Sequence, residues 1–229
     1  MSPNEPWQAL ARFDTPTICN ALEAVCPERR GVGFTIHSLF CAHPGLPPIV
    51  ARARTATIRA ATPSGRSAAD EAQLLRDYYR HVGAPPHPTV TVIEDLDPVP
   101  GTGAWWGEVH THLHRGLGSL GVITNGSVRD LDQIAPGFQV LAGKVAPSHA
   151  HVHPVEVGVP VSVAGMRVSP GDWIHADRHG AVVIPEPALA SLAAAAEAVT
   201  RRERVLIEAS QKPGFDLAQL EALLSGRAH

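Results

Sequence analysis

The sequence predicts a mixed α/β fold, and three observations carry that reading. Up to residue 134, short apolar or alternating runs of strand length take turns with longer segments of helical period. From 138 to 184 the runs are nearly all strand-like, and from 187 onward an alanine-rich helical pattern closes the chain. Strands alternating with helices build layers around a sheet. With 229 residues, 44% of them hydrophobic, the chain is read as one domain over 1–229, with a core at about 13–185 and a helical tail at about 187–226.

Each element has a local reason. Residues 7–12 carry a short helical pattern. Asp14-Thr15-Pro16 reads as an N-cap with proline in the first turn. The helix it opens sets Ile18, Leu22 and Val25 on one face and ends before Pro27. Residues 34–40 and 50–60 cluster or alternate like strands. Arg52, Arg54 and Arg59 in the second read as a solvated row, with contact to an anionic substrate as the lesser reading. Ser67-Ala68-Ala69-Asp70 is a capping-box variant that opens a helix to about His81, and the proline-rich run 83–88 breaks it. Residues 89–93 form a strand. The acidic, proline-containing turn 94–103 follows, its carboxylates reading as solvated turn formers rather than metal ligands.

Trp105-Trp106-Gly107-Glu108 reads as a turn opening a helix, 121–124 as a buried strand, Asn125-Gly126 as a turn, and 127–130 as the lead into a second short helix. Further strands are expected at 138–142, 155–163, 166–168, 172–176 and 181–184, with Pro170-Gly171 as a turn. Helices are expected at 187–210 and 217–224.

Composition excludes several functions. The net charge is −3 and no basic run exists, so binding nucleic acid by neutralising phosphates has no support. Cys19, Cys26 and Cys41 have no metal-binding spacing, and their odd number and scatter suit a reducing cytoplasm. The N-terminus lacks the pattern of a signal peptide, and no apolar run approaches the ~18 residues of a membrane span.

The chemistry concentrates between residues 104 and 134. Gly107 and Glu108 sit at a helix N-terminus, where free N–H groups and the helix dipole favour an anion. Arg129 and Asp130 fall just beyond a buried strand, at the end of an α/β sheet where ligands bind. If strand and helix pack side by side, an anion-binding turn, a cation and a carboxylate share one mouth. On the residues alone, Arg129-Asp130 reads first as a surface ion pair. Glu108 reads equally as a first-turn acid favoured by the dipole.

This stretch resembles the family that contains 4-hydroxy-4-methyl-2-oxoglutarate aldolases and the regulator of ribonuclease E activity A proteins. The matching residues are Trp106-Gly107-Glu108, Gly121-Val122, Asn125-Gly126 and Val128-Arg129-Asp130, then Val168, Pro170-Gly171-Asp172, Ala176-Asp177, Gly180 and 182–185. Residues 17–22 and 53–57 are similar to the family's first helix and an early strand. The resemblance implies a layered α/β/β domain with a swivelling-domain-like β core and C-terminal helices, assembled as a homotrimer or hexamer. It implies a lyase that cleaves a 4-hydroxy-2-oxo acid, or decarboxylates oxaloacetate, through a pyruvate enolate with Mg²⁺ or Mn²⁺. In that reading Asp130 binds the metal directly and Arg129 meets the substrate and the enolate. Glu108 reaches the metal through water, Gly107 and Glu108 supply amides, and Asn125 lines the substrate site. Family aldolases usually have Asp-Gly at Asn125-Gly126 and an acid at Gln133, which has Asp132 beside it. A non-catalytic ribonuclease-binding regulator, or an enzyme for another small carboxylate, stand as alternatives.

The 13 histidines are the second feature. His110 and His114 share a helix face, which reads as a bland surface pair before half a zinc site. His149, His151 and His153 stand at strand spacing. His175-Asp177-His179 reads first as a structural turn, next as a wall given to a neighbouring subunit's site, and last as a zinc site.

Overall fold

The computed structural model describes residues 5–225. Residues 1–4 and 226–229, the latter including the end of the expected helical tail, lie outside the described residues.

In chain order the elements begin with a 3-10 turn Pro6–Arg12, α1 Thr15–Val25, a 3-10 turn Pro27–Arg29, β1 Phe40–Cys41, β2 Ile49–Arg59, α2 Ala68–Gly83 and β3 Thr89–Asp95. Next come β4 Ala104–Trp106, α3 Glu108–Gly116, β5 Ser119–Thr124, β6 Ser127–Val128, a 3-10 turn Leu131–Gln133, β7 Gln139–Ala142 and β8 Lys144–Val145. The chain continues through β9 His153–Val157, β10 Val161–Val163, β11 Met166–Val168, β12 Trp173–Asp177 and β13 Gly180–Ile184. It closes with a 3-10 turn Glu186–Ala188, α4 Leu189–Ser210 and α5 Leu217–Ser225. Both sequence-read caps form: Asp14 accepts the Thr17 N–H at 2.9 Å and the Ser67 hydroxyl accepts the Asp70 N–H at 3.2 Å.

The main sheet has eight strands, ordered β1-β7-β5-β3-β2-β12-β13, with β9 also on β2. Its centre, β7-β5-β3-β2, is parallel. Long β2 shares its other edge between β12 at its start and β9 at its end, both antiparallel. Alternation sorts the side chains: Val92, Ile123 and Leu141 face one core with the β10–β11 hairpin. Ile93, Val122 and Val140 face a second core with residues of α2 and the aromatic Trp105, Trp106 and Phe138. A third core joins α1 and α4 to β12 and β13. The mixed α/β class, with its layers and C-terminal helices, is as the sequence predicts.

Several expectations are corrected. Residues 34–40 do not make one strand. Phe34 only bridges Val182, and only Phe40–Cys41 pairs, with β7. The intervening N–H groups go to two different elements, Thr35 to Ala181 and Ile36 and His37 to Ala164, so no ladder can run. The strand expected at 155–163 is split, because Gly158 takes a left-handed φ of 71° and Pro160 follows. β9 therefore joins the main sheet while β10 turns into its own hairpin. Arg54 is not solvated: it is 6% exposed and its guanidinium donates to the Ala84 carbonyl at 2.6 Å. Arg52 lies over the Trp173 ring and pairs with Glu186 at 2.9 Å.

His110 and His114 are not a bland surface pair either. His114 is fully buried, with its Nε2 2.6 Å from the Tyr78 hydroxyl. Burial pushes its pKa down to about 3, far below the ~6.5 it regains on unfolding. The unfolded chain therefore takes the proton first. Stability is full above about pH 6.5 and falls with acid, by up to about 1.4 kcal/mol per pH unit for this group. Thermal denaturation followed from neutral to mildly acidic pH should show that loss. His114→Gln, which retains a partner for the Tyr78 hydroxyl, should flatten it; an unchanged acid limb would sink the assignment.

Candidate functional site

The site is raised on three strands too short to be read from periodicity. β4, β6 and β8 form a small parallel sheet, placed where the chain leaves the carboxyl ends of β3, β5 and β7. Trp106 and Val128 are paired neighbours, and the Arg129 N–H donates to the Trp106 carbonyl at 2.9 Å. This pairing brings together the segments that leave the two strands: Gly107-Glu108 after β4 and Arg129-Asp130 after β6. The expected turn at Trp105-Trp106 is thus a buried strand, and the helix begins one residue past Gly107, its N-cap.

Asp130 is the pivot. Its backbone is left-handed, with φ 52° and ψ 45°, a conformation aspartate tolerates better than most residues and one that collects at functional sites. This bend swings the carboxylate back over the start of α3, where Oδ2 accepts the Glu108 N–H at 3.3 Å. Gly107 makes the room: a Cβ there would collide with the same Oδ2 and crowd Arg129 Cγ at 3.1 Å. Arg129 Nε lies 3.5 Å from Asp130 Oδ2, a charge contact rather than a hydrogen bond, and this buried donor has no hydrogen-bond partner. Both side chains are 38% exposed. Thr111 locks the turn, donating to the Gly107 carbonyl at 2.8 Å and accepting the Ala135 N–H at 3.1 Å.

The structure thus brings together Gly107, Glu108, Arg129 and Asp130, and it gives Asn125 other work. Its Oδ1 accepts the Asp95 N–H at 2.7 Å and its Nδ2 donates to the Asp95 carbonyl at 3.0 Å, like a strand partner. The acidic turn behind it is also structural, which corrects its reading as solvated. Asp95 and Asp97 are 2% and 6% exposed. Asp95 accepts the N–H groups of Gly101 and Asp97, and Asp97 those of Ala60 and Ala61. Burial raises the Asp95 carboxyl, against the pull of those N–H groups. Asn125→Ala should strand two backbone groups and cost about 2–3 kcal/mol in chemical denaturation. Asn125→Asp keeps only the acceptor and should lose part of that. If stability is unchanged while activity falls, Asn125 serves the substrate instead.

Among the described residues no group of three or more His, Cys, Asp and Glu side chains is arranged to hold a metal ion. The donor set at the mouth is one carboxylate, Asp130; Glu108 shares the turn through its backbone N–H and its side chain is exposed. That fits a hard dication that keeps water and takes a chelating ligand, and it does not fit a closed zinc site. The other histidine motifs are accounted for. His175 is buried against Thr15 Oγ1 at 3.0 Å, and Asp177 accepts the Thr15 N–H at 3.0 Å and the His179 N–H at 2.8 Å. Burial alone would raise the Asp177 carboxyl, but these bonds hold it below the usual range. The motif fastens the N-terminal segment to β12, as its structural reading had it. His149 and His151 lie in a loop and only His153 enters β9, so the three do not share a strand face.

Sequence reasoning missed the ring cluster behind the mouth. Trp105 and His110 lie 4.6 Å apart between ring centroids, and Tyr79 stacks on His110 at 6.3 Å. The helical spacing of Tyr79 with the apolar face of α2 was the available signal.

Residues 15–183 match the family model described as RraA-like: Aldolase/RraA. The match covers most of the chain, and the protein belongs to this family. It is 30% identical over 92 residues to protein DlpA of Legionella pneumophila, across 37% of this chain and 14% of that one. It is 41% identical over 68 residues to a Burkholderia mallei protein provisionally named 4-hydroxy-4-methyl-2-oxoglutarate aldolase, across 29% of this chain and 41% of that one. The matched stretch therefore spans less than half the length of either relative. Among solved structures, an uncharacterized protein from Pseudomonas syringae superposes with a TM-score of 0.70 at 24% identity, over 95% of this chain and 92% of the other. Streptomyces coelicolor RraAS2, described as an unusual member of the RNase ES inhibitor RraA family, does so at 0.66 and 20% identity, over 90% and 96%. At these identities the likeness is one of fold. Among the described residues no helix is long and apolar enough to cross a membrane.

Proposed function

We propose that this chain is a divalent-metal-dependent carbon–carbon lyase that releases pyruvate, by retro-aldol cleavage of a 4-hydroxy-2-oxo acid or by decarboxylation of oxaloacetate. The observation that carries the reading is the Asp130 carboxylate lodged over Gly107 at the start of α3, with the Arg129 guanidinium beside it. Mg²⁺ or Mn²⁺ held by Asp130, with water filling the remaining positions, would supply Lewis-acid polarisation of the substrate's keto group.

The chain's own residues do the rest. The Arg129 side chain is 38% exposed and meets Asp130 only at 3.5 Å, so its planar fork can turn to the substrate carboxylate and to the oxygen that gains charge. Glu108 is exposed at the helix start, where it reaches the substrate through water. In the retro-aldol direction it draws the proton from the C4 hydroxyl through that water, the C3–C4 bond breaks, C4 becomes a carbonyl, and the electron pair stays with the pyruvate enolate. A proton returned at C3 completes pyruvate. In the decarboxylation the same bond releases CO₂ and the same enolate.

The elements that form the mouth also carry exposed apolar residues, Val109 and Leu113 on α3, Leu131 just after Asp130 and Val145 on β8. Surface of this kind supports assembly with further copies of the chain, as a homotrimer or hexamer; sedimentation showing a monomer would remove that part. We read the chain as a cytoplasmic protein that acts on small 2-oxo acids with neither nucleic acid nor membrane as partner: the net charge of −3 offers phosphates no basic face, and three free cysteines suit a reducing compartment. The test is pyruvate release from oxaloacetate and from 4-hydroxy-4-methyl-2-oxoglutarate, with Mg²⁺, with Mn²⁺ and with chelator. Release that needs the metal supports the reading. No release with any metal discards it in favour of a ribonuclease-binding role, which a pull-down then tests.

A further inference from the structure

Beside the mouth lies a cavity of about 760 Å³ between α2 and the loop after β8. Its wall includes Leu75 and Tyr79 of α2, Trp105 of β4, His110 of α3, and Val152 and Pro154. Its size, and a lining in which these side chains alternate with Arg66, Glu71 and the histidines of the loop, are within the range of a small-molecule site.

Two features decide what it would take. The first is the set of rings: Trp105 against His110, and Tyr79 stacked on His110 with its hydroxyl 3.2 Å from the imidazole Nδ1. The second is nearness to the mouth, whose own residues lie outside the cavity wall. Trp105 stands two residues before Gly107, and His110 two residues after Glu108 on the same helix. Arg129 is close enough for its charge to bear on His110.

We propose that this cavity holds the C4 substituent of the substrate and selects an aromatic ring there, so that the chain cleaves aryl-bearing 4-hydroxy-2-oxo acids. The inference rests on the lyase reading above. Offset or edge-on stacking against Trp105, Tyr79 and His110 rewards a flat ring beyond what burial of a methyl group there would give. For the 4-phenyl compound, the C4 hydroxyl loses its proton and the C3–C4 bond breaks. C4 leaves as the benzaldehyde carbonyl, and the enolate takes a proton at C3 to give pyruvate.

The test compares 4-hydroxy-2-oxo-4-phenylbutanoate with 4-hydroxy-4-methyl-2-oxoglutarate and oxaloacetate, in the intact protein with Mg²⁺ or Mn²⁺. Alongside, calorimetry measures binding of 2-oxo-4-phenylbutanoate, which lacks the hydroxyl and is not cleaved. Ala72→Phe narrows the cavity from an exposed position of α2. The expected result is at least a tenfold higher kcat/KM for the phenyl compound. In Ala72→Phe that preference and the calorimetric binding should be lost while oxaloacetate turnover is kept. Turnover of oxaloacetate with no preference for the ring overturns the cavity assignment and leaves the lyase standing. No pyruvate from any substrate, with ring binding that Ala72→Phe removes, overturns the lyase and keeps an aryl-carboxylate site. No ring binding at all overturns the cavity assignment whatever the enzyme does.

Discussion

Replacing Asp130 is expected to remove metal-dependent pyruvate release almost completely, with kcat/KM down by about 10³-fold or more, equivalent to about 4 kcal/mol of lost transition-state stabilisation. Asparagine is the variant of choice. The backbone at this position is left-handed, which asparagine tolerates better than alanine, so Asp130→Ala adds a conformational cost of about 1 kcal/mol unrelated to chemistry. Asp130→Asn keeps the shape and removes the charge that a hard dication needs. Because the side chain is 38% exposed and receives one long hydrogen bond, the melting temperature should stay close to that of the parent. Initial rates against Mg²⁺ and Mn²⁺ concentration, with a melting curve for each variant, read both effects. Full activity in Asp130→Asn would end the proposal that this carboxylate holds the metal.

Arg129→Lys is expected to lower kcat/KM by about 10²-fold, the order of loss seen when one preorganised donor to a developing oxyanion is removed. Lysine retains the charge but loses the planar fork that pairs with a carboxylate through two N–H groups. The split between the constants tells which oxygen Arg129 meets. A fall in kcat marks the charge that grows as the bond breaks, and a rise in KM alone marks the ground-state carboxylate. The backbone of Arg129 would be unaffected, since its N–H remains bonded to the Trp106 carbonyl. A lysine variant as active as the parent would return Arg129 to an ordinary surface partner of Asp130.

Much of the frame was legible because its causes are local. Asp14 and Ser67 cap helices through bonds three residues away. The central strands show themselves by β-branched runs, and Pro27 and the 83–88 prolines stop helices wherever the chain goes afterwards. The residues of the mouth were legible through type and order: a glycine and an acid at a helix start, an arginine and an aspartate after a strand. The miss at 34–40 has a different cause. That segment has strand composition but hands its N–H groups to two separate elements. The acidic turn misled for the same reason, since whether Asp95 and Asp97 are solvated depends on backbone groups that folding delivers to them, from Ala60 and Ala61 as well as from within the turn.

By itself, then, the sequence determined the α/β order of elements, the helix caps and the short list of groups able to do chemistry, because each depends on neighbours a few residues away. Tertiary structure alone decided that these groups meet. Glu108 and Asp130 are 22 positions apart, and they touch because β4 and β6, strands of three and two residues with no periodicity to read, pair in parallel. The same long-range packing made Asn125 a strut for Asp95 and buried His114. It also set Tyr79, Trp105 and His110 around one cavity, since burial and adjacency arise only when distant segments close on each other.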